Sequence, residues 1–368
     1  MDGRGVSAVT AYSAHREWAS RPPDERYASV HALYTAARDR RDRTETRTLE
    51  TIDLRTDAVA ADALVLHDGS GRATALTHWS FEQLAGLAAA PPKYLRTLPA
   101  TIASDAINHG LRHHARDKQQ VLVARHEPWT LHAITSPRYA RVHHDDLAGR
   151  VLDLMAQHPG WHLPLGYKDG VYGAERVPSG AYLGDRDMFL FLVDGNRDLD
   201  DPTDGSHAGL FRGFILRNSD VGAAALTLDL FLFRAVCGNN LIWGFQHVAG
   251  FRRRHIGTSI HGAWAESLIS VRAALDASLD DDRTRILRAT RQELGATREE
   301  VLEAATTGLD LSRKQALEAY GLADAFEPNP RSVWGYVQGL TRLSQRTPWQ
   351  DARFTLDQAA SRLLATVN

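Results

Sequence analysis

The hydrophobic positions of this chain change period along its length. From Leu226 to Leu232 a leucine falls on every second residue, with Thr227, Asp229, Phe231 and Phe233 between and after them. Period two belongs to a β-strand, since a helix repeats every 3.6 residues. Two phenylalanines on the alternate face predict that part of this strand is covered on both sides. Phe211–Leu216 reads as the strand before it. Asn218-Ser219-Asp220 with Gly222 makes the connecting turn, Gly238-Asn239-Asn240 makes the next, and Leu241–Phe245 resumes as a third strand. Asn and Gly tolerate the left-handed backbone that such turns need.

The same reading places other elements upstream. Ala63–Leu66 and Ala73–Leu76 flank a Gly-rich turn and predict a β-hairpin. Val121–Ala124 and Trp129–Thr135 predict another pair, and Trp161–Tyr167, Val171–Val177 and Met188–Val193 further strands. Helical spacing follows Pro22-Pro23, where Asp24 and Glu25 favour a first turn. It returns after Ser80, read as a cap, and again over Ala100–Ala115. Asp145 or Asp146 starts a helix bearing Leu147, Val151, Leu154 and Met155. Asp194 to Ser206 reads as an acidic loop, an insertion or lid. From Ser259 the pattern is helical to the end: a long helix with Trp264, Leu268, Val271 and Leu275 on one side, then Asp282–Leu294, Arg298–Thr306, Ser312–Tyr320, Val333–Arg346 and Asp351–Val367.

The expected fold is α+β: a central, mostly antiparallel sheet with flanking helices and an α-rich C-terminal part. Residues 1–14 are expected to be a flexible N-terminus, 15–258 the α+β core, and 259–368 a helical region packed on that core.

Composition narrows the function classes. Hydrophobic residues make up 43% of the 368 positions and charged residues 24%, with a net charge of −2. A nucleic-acid role therefore needs a local basic patch, since no global excess exists. One cysteine, Cys237, excludes an internal disulfide framework and a cysteine-rich zinc site. No apolar run approaches the roughly 18 residues a membrane span needs, and the first residues lack the apolar centre of a signal peptide. The expectation is a cytoplasmic protein without membrane contact.

Several short pieces belong together: Glu17-Trp18, Arg21-Pro22-Pro23-Asp24-Glu25-Arg26, Leu76-Thr77 with Trp79, Ser136-Pro137-Arg138-Tyr139, Arg217-Asn218-Ser219-Asp220-Val221-Gly222, and Phe233-Arg234-Ala235-Val236-Cys237-Gly238-Asn239-Asn240. With these the chain resembles the phage/plasmid-like domain of unknown function numbered 932, from about Glu17 to Leu340-Thr341. Asn240 stands where many members carry a glycine. The resemblance implies an origin in a phage, plasmid or integrated mobile element, and it implies no catalytic residues.

The densest basic cluster is Arg252-Arg253-Arg254-His255, with Arg212, Arg217 and Arg234 nearby in sequence and Arg138-Tyr139 after a strand. Guanidinium groups pair bidentately with phosphates, and aromatics such as Trp243, Phe245 or Phe251 stack on unpaired bases. Parity puts Arg234 on the leucine face, and with Arg217, Asn218 and Asn239 it is expected to form a polar pocket at one end of the hairpin. The competing reading makes the asparagines turn residues and the arginines a solvated or ion-paired surface. His143-His144-Asp145-Asp146 lacks metal-ligand spacing, and Cys237 reads as a packing residue.

The leading expectation is a non-enzymatic binder of nucleic acid, single-stranded DNA first, acting through an arginine-rich groove, alone or as a homo-oligomer, with no cofactor and no metal. The alternatives are an enzyme acting on nucleic acid or nucleotides, and a regulatory or host-interaction protein whose basic patch docks an acidic partner.

Overall fold

The computed structural model describes residues 18–69, 72–114, 118–126, 129–167, 175–199, 209–234, 239–242, 251–256 and 280–367. In chain order these form β1 (Glu25–Tyr27), α1 (Val30–Asp42), β2 (Thr44–Glu50), β3 (Arg55–Ala60), β4 (Ala63–His67), β5 (Ala73–Leu76), α2 (His78–Leu87), α3 (Pro92–Leu95), α4 (Ala100–His114), β6 (Gln119–Arg125) and β7 (Thr130–Thr135). Then come α5 (His144–Gln157), β8 (Trp161–His162), β9 (Leu165–Tyr167), β10 (Arg176–Pro178), β11 (Ala181–Leu183), β12 (Met188–Leu199), β13 (Leu210–Asn218), β14 (Leu226–Arg234), β15 (Asn239–Ile242) and β16 (Phe251–Arg253). Helices α6 (Asp280–Arg291), α7 (Arg298–Gly308), α8 (Arg313–Phe326), α9 (Val333–Arg346) and α10 (Gln350–Ala365) close the chain. The α+β class holds. The single central sheet expected from the pattern is instead two large sheets and a small ribbon.

The first sheet runs β1-β11-β12-β13-β14-β15, with β16 also on β14 and β8 also on β12. Its named pairs are all antiparallel. The second runs β2-β6-β7-β5-β4-β3 and is antiparallel except for β5 beside β7. The expected hairpin is β4 and β5, and β9 pairs with β10 in the ribbon.

The alternation in β14 works as read. Leu226, Leu228 and Leu230 pack with Phe214 against Leu33 of α1 and Val151 of α5. Phe231 faces the other way, with Phe189, Phe191 and Ile215, and meets Phe354 of α10. The sheet is thus covered on both faces, and each fully buried Leu or Phe contributes about 1.5–3 kcal/mol. The second sheet has its own core, where Leu64, Leu76 and Leu131 meet Phe81 and Leu84 of α2 and Ile107 of α4. The C-terminal helices bury Ile286, Val301, Trp334, Tyr336 and Leu340, and Leu210 of β13 joins that cluster.

Several local expectations change. Asp24 accepts from the Gln350 amide at 2.7 Å, and the chain after Pro22-Pro23 is extended as β1. The helix begins only at Ser29, whose side chain accepts from the Ala32 amide. Thr77, not Ser80, caps α2, because the Ser80 hydroxyl donates to the Leu131 carbonyl at 2.8 Å. Asp145 and Asp146 lie inside the first turn of α5 and pair with Arg41 at 3.0 and 2.8 Å. The start of the acidic stretch continues β12 as far as Leu199, with a register shift between Val193 and Asp198. Residues 200–208 and the long helix expected from Ser259 lie outside the described residues.

The two sheets are fastened at the turn between β13 and β14. Trp79 and Gln83 of α2 both donate to the Val221 carbonyl at 3.0 Å. Tyr139 donates its hydroxyl to the Ser219 carbonyl at 2.7 Å, and Arg141 donates to the Asp220 carbonyl. Ser219 in turn donates to the Arg186 carbonyl at 2.5 Å. Gly222 sits at φ +85°, as a tight turn requires of a residue without a Cβ.

Candidate functional site

Strand β16 lies on β14 with Arg252 opposite Thr227 and Arg253 opposite Leu226. The side chains of Arg252, Arg253 and Arg254 are exposed. The chain then folds onto the segment after β7. Tyr139 and Ile256 form an antiparallel bridge, and the Ala140 amide donates to the His255 carbonyl at 2.9 Å. The rings of Tyr139 and His255 stack at 5.0 Å between centroids with 22° between planes. Arg138, exposed and next to Tyr139, is thereby brought to the same edge as Arg252–Arg254. Ile256 adds an apolar residue there, 63% exposed.

Other residues singled out from the sequence hold the structure and are not presented to a ligand. Arg217 donates to Asp187 at 3.2 and 2.7 Å, and its guanidinium lies over Phe189 and Phe354 at 5.0 and 5.5 Å. Asn218 is fully buried and donates to the Val142 carbonyl at 2.9 Å. His255 is buried, with Nδ1 3.1 Å from the Ala140 carbonyl. The Tyr139 hydroxyl is occupied by Ser219.

The expected polar pocket of Arg217, Arg234, Asn218 and Asn239 does not form. Arg217 pairs with Thr227 at one end of the β13–β14 ladder, and Arg234 pairs with Leu210 and Asn239 at the other. Seven residues of strand separate the two ends, about 23 Å at ~3.3 Å per residue. Asn239 and Asn240 belong to β15 and not to a turn. The side chains of Arg234, Asn239 and Phe251, and residues Cys237, Trp243 and Phe245, lie outside the described residues.

A second polar site lies between the sheets. Asp220, in the turn that fastens them, has His144 Nε2 3.7 Å from Oδ1. Burial alone would raise its carboxyl, but His144, Arg141, Arg125 and His143 outweigh that and hold it below the usual carboxylate range. Burial pushes the imidazoles of His143, His144 and His255 down. Among the described residues no group of three or more His, Cys, Asp and Glu side chains is placed to hold a metal ion.

Next to this cluster a cavity of about 340 Å³ opens between the sheets. Arg40, Arg43, Arg125, His126 and His132 line it from α1, its following residue, β6, β7 and their connection, while Pro22, Pro23, Glu25 and Asp185 line it from the first sheet's side. His132 arrives there through an irregularity in the ladder. Val123 pairs with Ala133 and Ala124 with Leu131, so His132 is the extra residue of a β-bulge, a device that re-aims a side chain. Burial pushes its imidazole well below the ordinary value, and the charges of Arg125 and Arg40 push the same way. Arg40 is engaged by Glu25 and the Gly184 carbonyl, both at 2.9 Å, and Arg43 by Asp39 at 2.6 Å. Among the described residues Arg125 has no ion pair, and its buried Nε has no hydrogen-bond partner. Burial, then the charge of Arg40, pushes its guanidinium down to about 10. Sequence reasoning passed over this cavity. Its one signal was a histidine inside the apolar run Leu131-His132-Ala133, opposite a strand ending in arginine.

No protein-family model matches the chain, and no curated protein and no solved structure matches it either.

Proposed function

We propose that this protein binds nucleic acid, single-stranded DNA first among the polymers, along the arginine edge formed by Arg138, Arg252, Arg253 and Arg254. The observation that carries the reading is the Tyr139–Ile256 bridge, which gathers arginines far apart in sequence onto one exposed edge. Exposed guanidinium groups neutralise phosphates without reading sequence, and Arg252 and Arg253, successive residues of β16, present theirs on opposite faces of the strand. Ile256 offers apolar surface beside them. Tyr139, His255, Arg217 and Asn218 act here by holding the edge in place.

The reading extends to a cytoplasmic protein of a phage, plasmid or integrated element, acting as a binder and not as a catalyst, with self-association along the strand. Among the described residues no helix is long and apolar enough to cross a membrane.

The test is a titration of fluorescent single-stranded DNA at several salt concentrations, with the wild type and an Arg252→Ala/Arg253→Ala/Arg254→Ala variant. Each single-strand phosphate contact contributes about −0.7 to the slope of log K against log salt. The variant is expected to bind more weakly and to lose about 2 from that slope, three contacts at ~0.7 each. Unchanged affinity and slope would overturn the assignment and leave the arginines as charges that keep an edge strand from pairing with another chain. Double-stranded DNA and RNA of equal length, in the same titration, rank the polymers.

A further inference from the structure

The ends of the sheets are treated unequally. A terminal strand leaves a row of backbone N–H and C=O groups open, and folds blunt such edges with short strands, bulges or a covering element. Strand β1, at one end of the first sheet, has three residues. Strand β3, at one end of the second, has a register shift between Ala58 and Ala60 and a substitute neighbour in α4. There Asn108 Oδ1 accepts from the Thr56 amide and Nδ2 donates to the Thr56 carbonyl, both at 2.8 Å, as an adjoining strand would. Strand β2, at the opposite end, has neither device. Its seven residues pair with β6 without a shift and include no proline or glycine. Hydrogen bonds just beyond both ends of that ladder fix which groups face out. The His126 amide donates to the Arg43 carbonyl at 2.9 Å and the Thr51 amide to the Lys118 carbonyl at 2.8 Å, each between residues directly opposite. Backbone direction alternates along an antiparallel strand, so Glu45, Arg47 and Leu49 turn their groups to β6, and Thr44, Thr46, Thr48 and Glu50 turn theirs outward. Thr46 and Thr48 are exposed.

We propose that β2 is the contact of a homodimer, in which two copies of this chain join these edges antiparallel about a two-fold axis through Thr46. Such a contact has to be self-complementary, and the side chains of β2 select the register. With Thr46 opposite the partner's Thr46, Thr44 meets the partner's Thr48. These outward-facing residues form hydrogen-bonded pairs and supply about six backbone bonds. Glu45 then faces the partner's Arg47, and Arg47 the partner's Glu45, in the closer pairs between them, where opposite charges stabilise a sheet. The neighbouring registers fail. Centred on Glu45, the pairing sets two carboxylates face to face, and centred on Arg47 it does the same with two guanidinium groups. Like charges directly opposite are destabilising. Centred on Thr48, it sets Arg47 against leucine. Charges on an edge ordinarily keep a second chain away, but opposite signs two residues apart admit a reversed copy of the same strand. Both side chains are already held along the edge, since Arg47 donates to Glu45 at 2.6 Å and to Asp68 at 3.0 Å. The contact shares no residue with the arginine edge.

The experiment is sedimentation velocity of the full chain without nucleic acid, over a hundredfold range of concentration, with circular dichroism to check folding. The wild type is expected to sediment as a dimer that dissociates on dilution. Thr46→Pro removes an outward amide and leaves the β6 ladder intact, since an edge position tolerates proline. It should stay monomeric with an unchanged spectrum. Arg47→Glu and Glu45→Arg each set like charges opposite one another across the axis, and each alone should dimerise at least tenfold more weakly than the wild type. Mixed in equal amounts, with one of them fluorescently labelled, the two variants restore opposite charges at both positions and should form a heterodimer of about wild-type affinity. A wild type that is monomeric throughout overturns the proposal and leaves the edge to a strand of some other protein. A dimer that Thr46→Pro leaves as tight as before places the contact elsewhere and overturns it too. A folded pair of charge variants that does not recover on mixing overturns the register. The Arg252→Ala/Arg253→Ala/Arg254→Ala variant should dimerise as the wild type does, so this proposal and the nucleic-acid reading fail separately.

Discussion

Asp357 gives a prediction whose size follows from its surroundings. It sits on α10 inside the C-terminal helical cluster and is 3% exposed. Burial pushes its carboxyl up to about 8, against the Ser344 hydroxyl and Arg353, which act in the opposite direction. The unfolded chain titrates this group near 3.9. Between roughly pH 4 and pH 8 the folded protein therefore keeps a proton that the unfolded chain releases. Stability then falls as pH rises through that window, by about 1.4 kcal/mol per unit from this residue. At pH 7, some three units above the unfolded value, the cost amounts to about 4 kcal/mol. Asp357→Asn keeps the shape and removes the proton. The variant is expected to be more stable than the wild type at pH 7, with a gap about 3 kcal/mol larger at pH 7 than at pH 5. Urea unfolding followed by circular dichroism at pH 5, 6 and 7 measures the gap directly. Taking the difference between the two proteins cancels every other titrating group, including Asp187, which burial pushes up to about 6. A gap that stays constant from pH 5 to pH 7 would refute the reasoning, because it would mean that Asp357 ionises in the folded state as it does in water.

Other substitutions test the joints of the fold. Arg212 of β13 donates to Asp282 of α6 at 2.8 and 2.6 Å, and both residues are buried. Asp282→Ala leaves a buried guanidinium without that partner and should cost about 3–5 kcal/mol in chemical denaturation. A loss below about 1 kcal/mol would mean that water or the other partners of Arg212 hold its guanidinium. Gly339 of α9 lies where a Cβ would strike the Ala319 carbonyl of α8 and come within 3.0 Å of the Ala323 Cβ. Gly339→Ala should therefore push these helices apart and lower stability by about 1–3 kcal/mol. Gly308→Ala, where a Cβ meets nothing within 4 Å, serves as the control and should not destabilise.

How much of this was legible in the sequence depends on how local each signal is. Alternation in Leu226–Leu232 identified β14, its two faces and its covering on both sides, because strand parity is a property of neighbouring residues. The C-terminal helices were legible for the same reason: Ser312 and Gln315 form a complete capping box at the start of α8. The division into two sheets was not legible, since it rests on which strands meet across long separations, as β5 with β7 in parallel. Site residues followed the same rule. Exposure of Arg252–Arg254 matched a charge run that interrupts an apolar pattern. Arg217 and Asn218 looked like ligands because nothing near them in sequence announced Asp187 or the Val142 carbonyl as partners. Arg125 and Asp185 escaped notice, since each is an ordinary charged residue until the fold buries it.

The turn from Ser219 to Gly222 has a consequence for rates. Its carbonyls are gripped by Trp79, Gln83, Tyr139 and Arg141, and its serine grips Arg186 in return. Widening the gap between the sheets would require breaking several of these bonds at once, in surroundings where few waters can replace them. The amides of this turn should therefore exchange with solvent only when the sheets part, as slowly as those of the most protected strands.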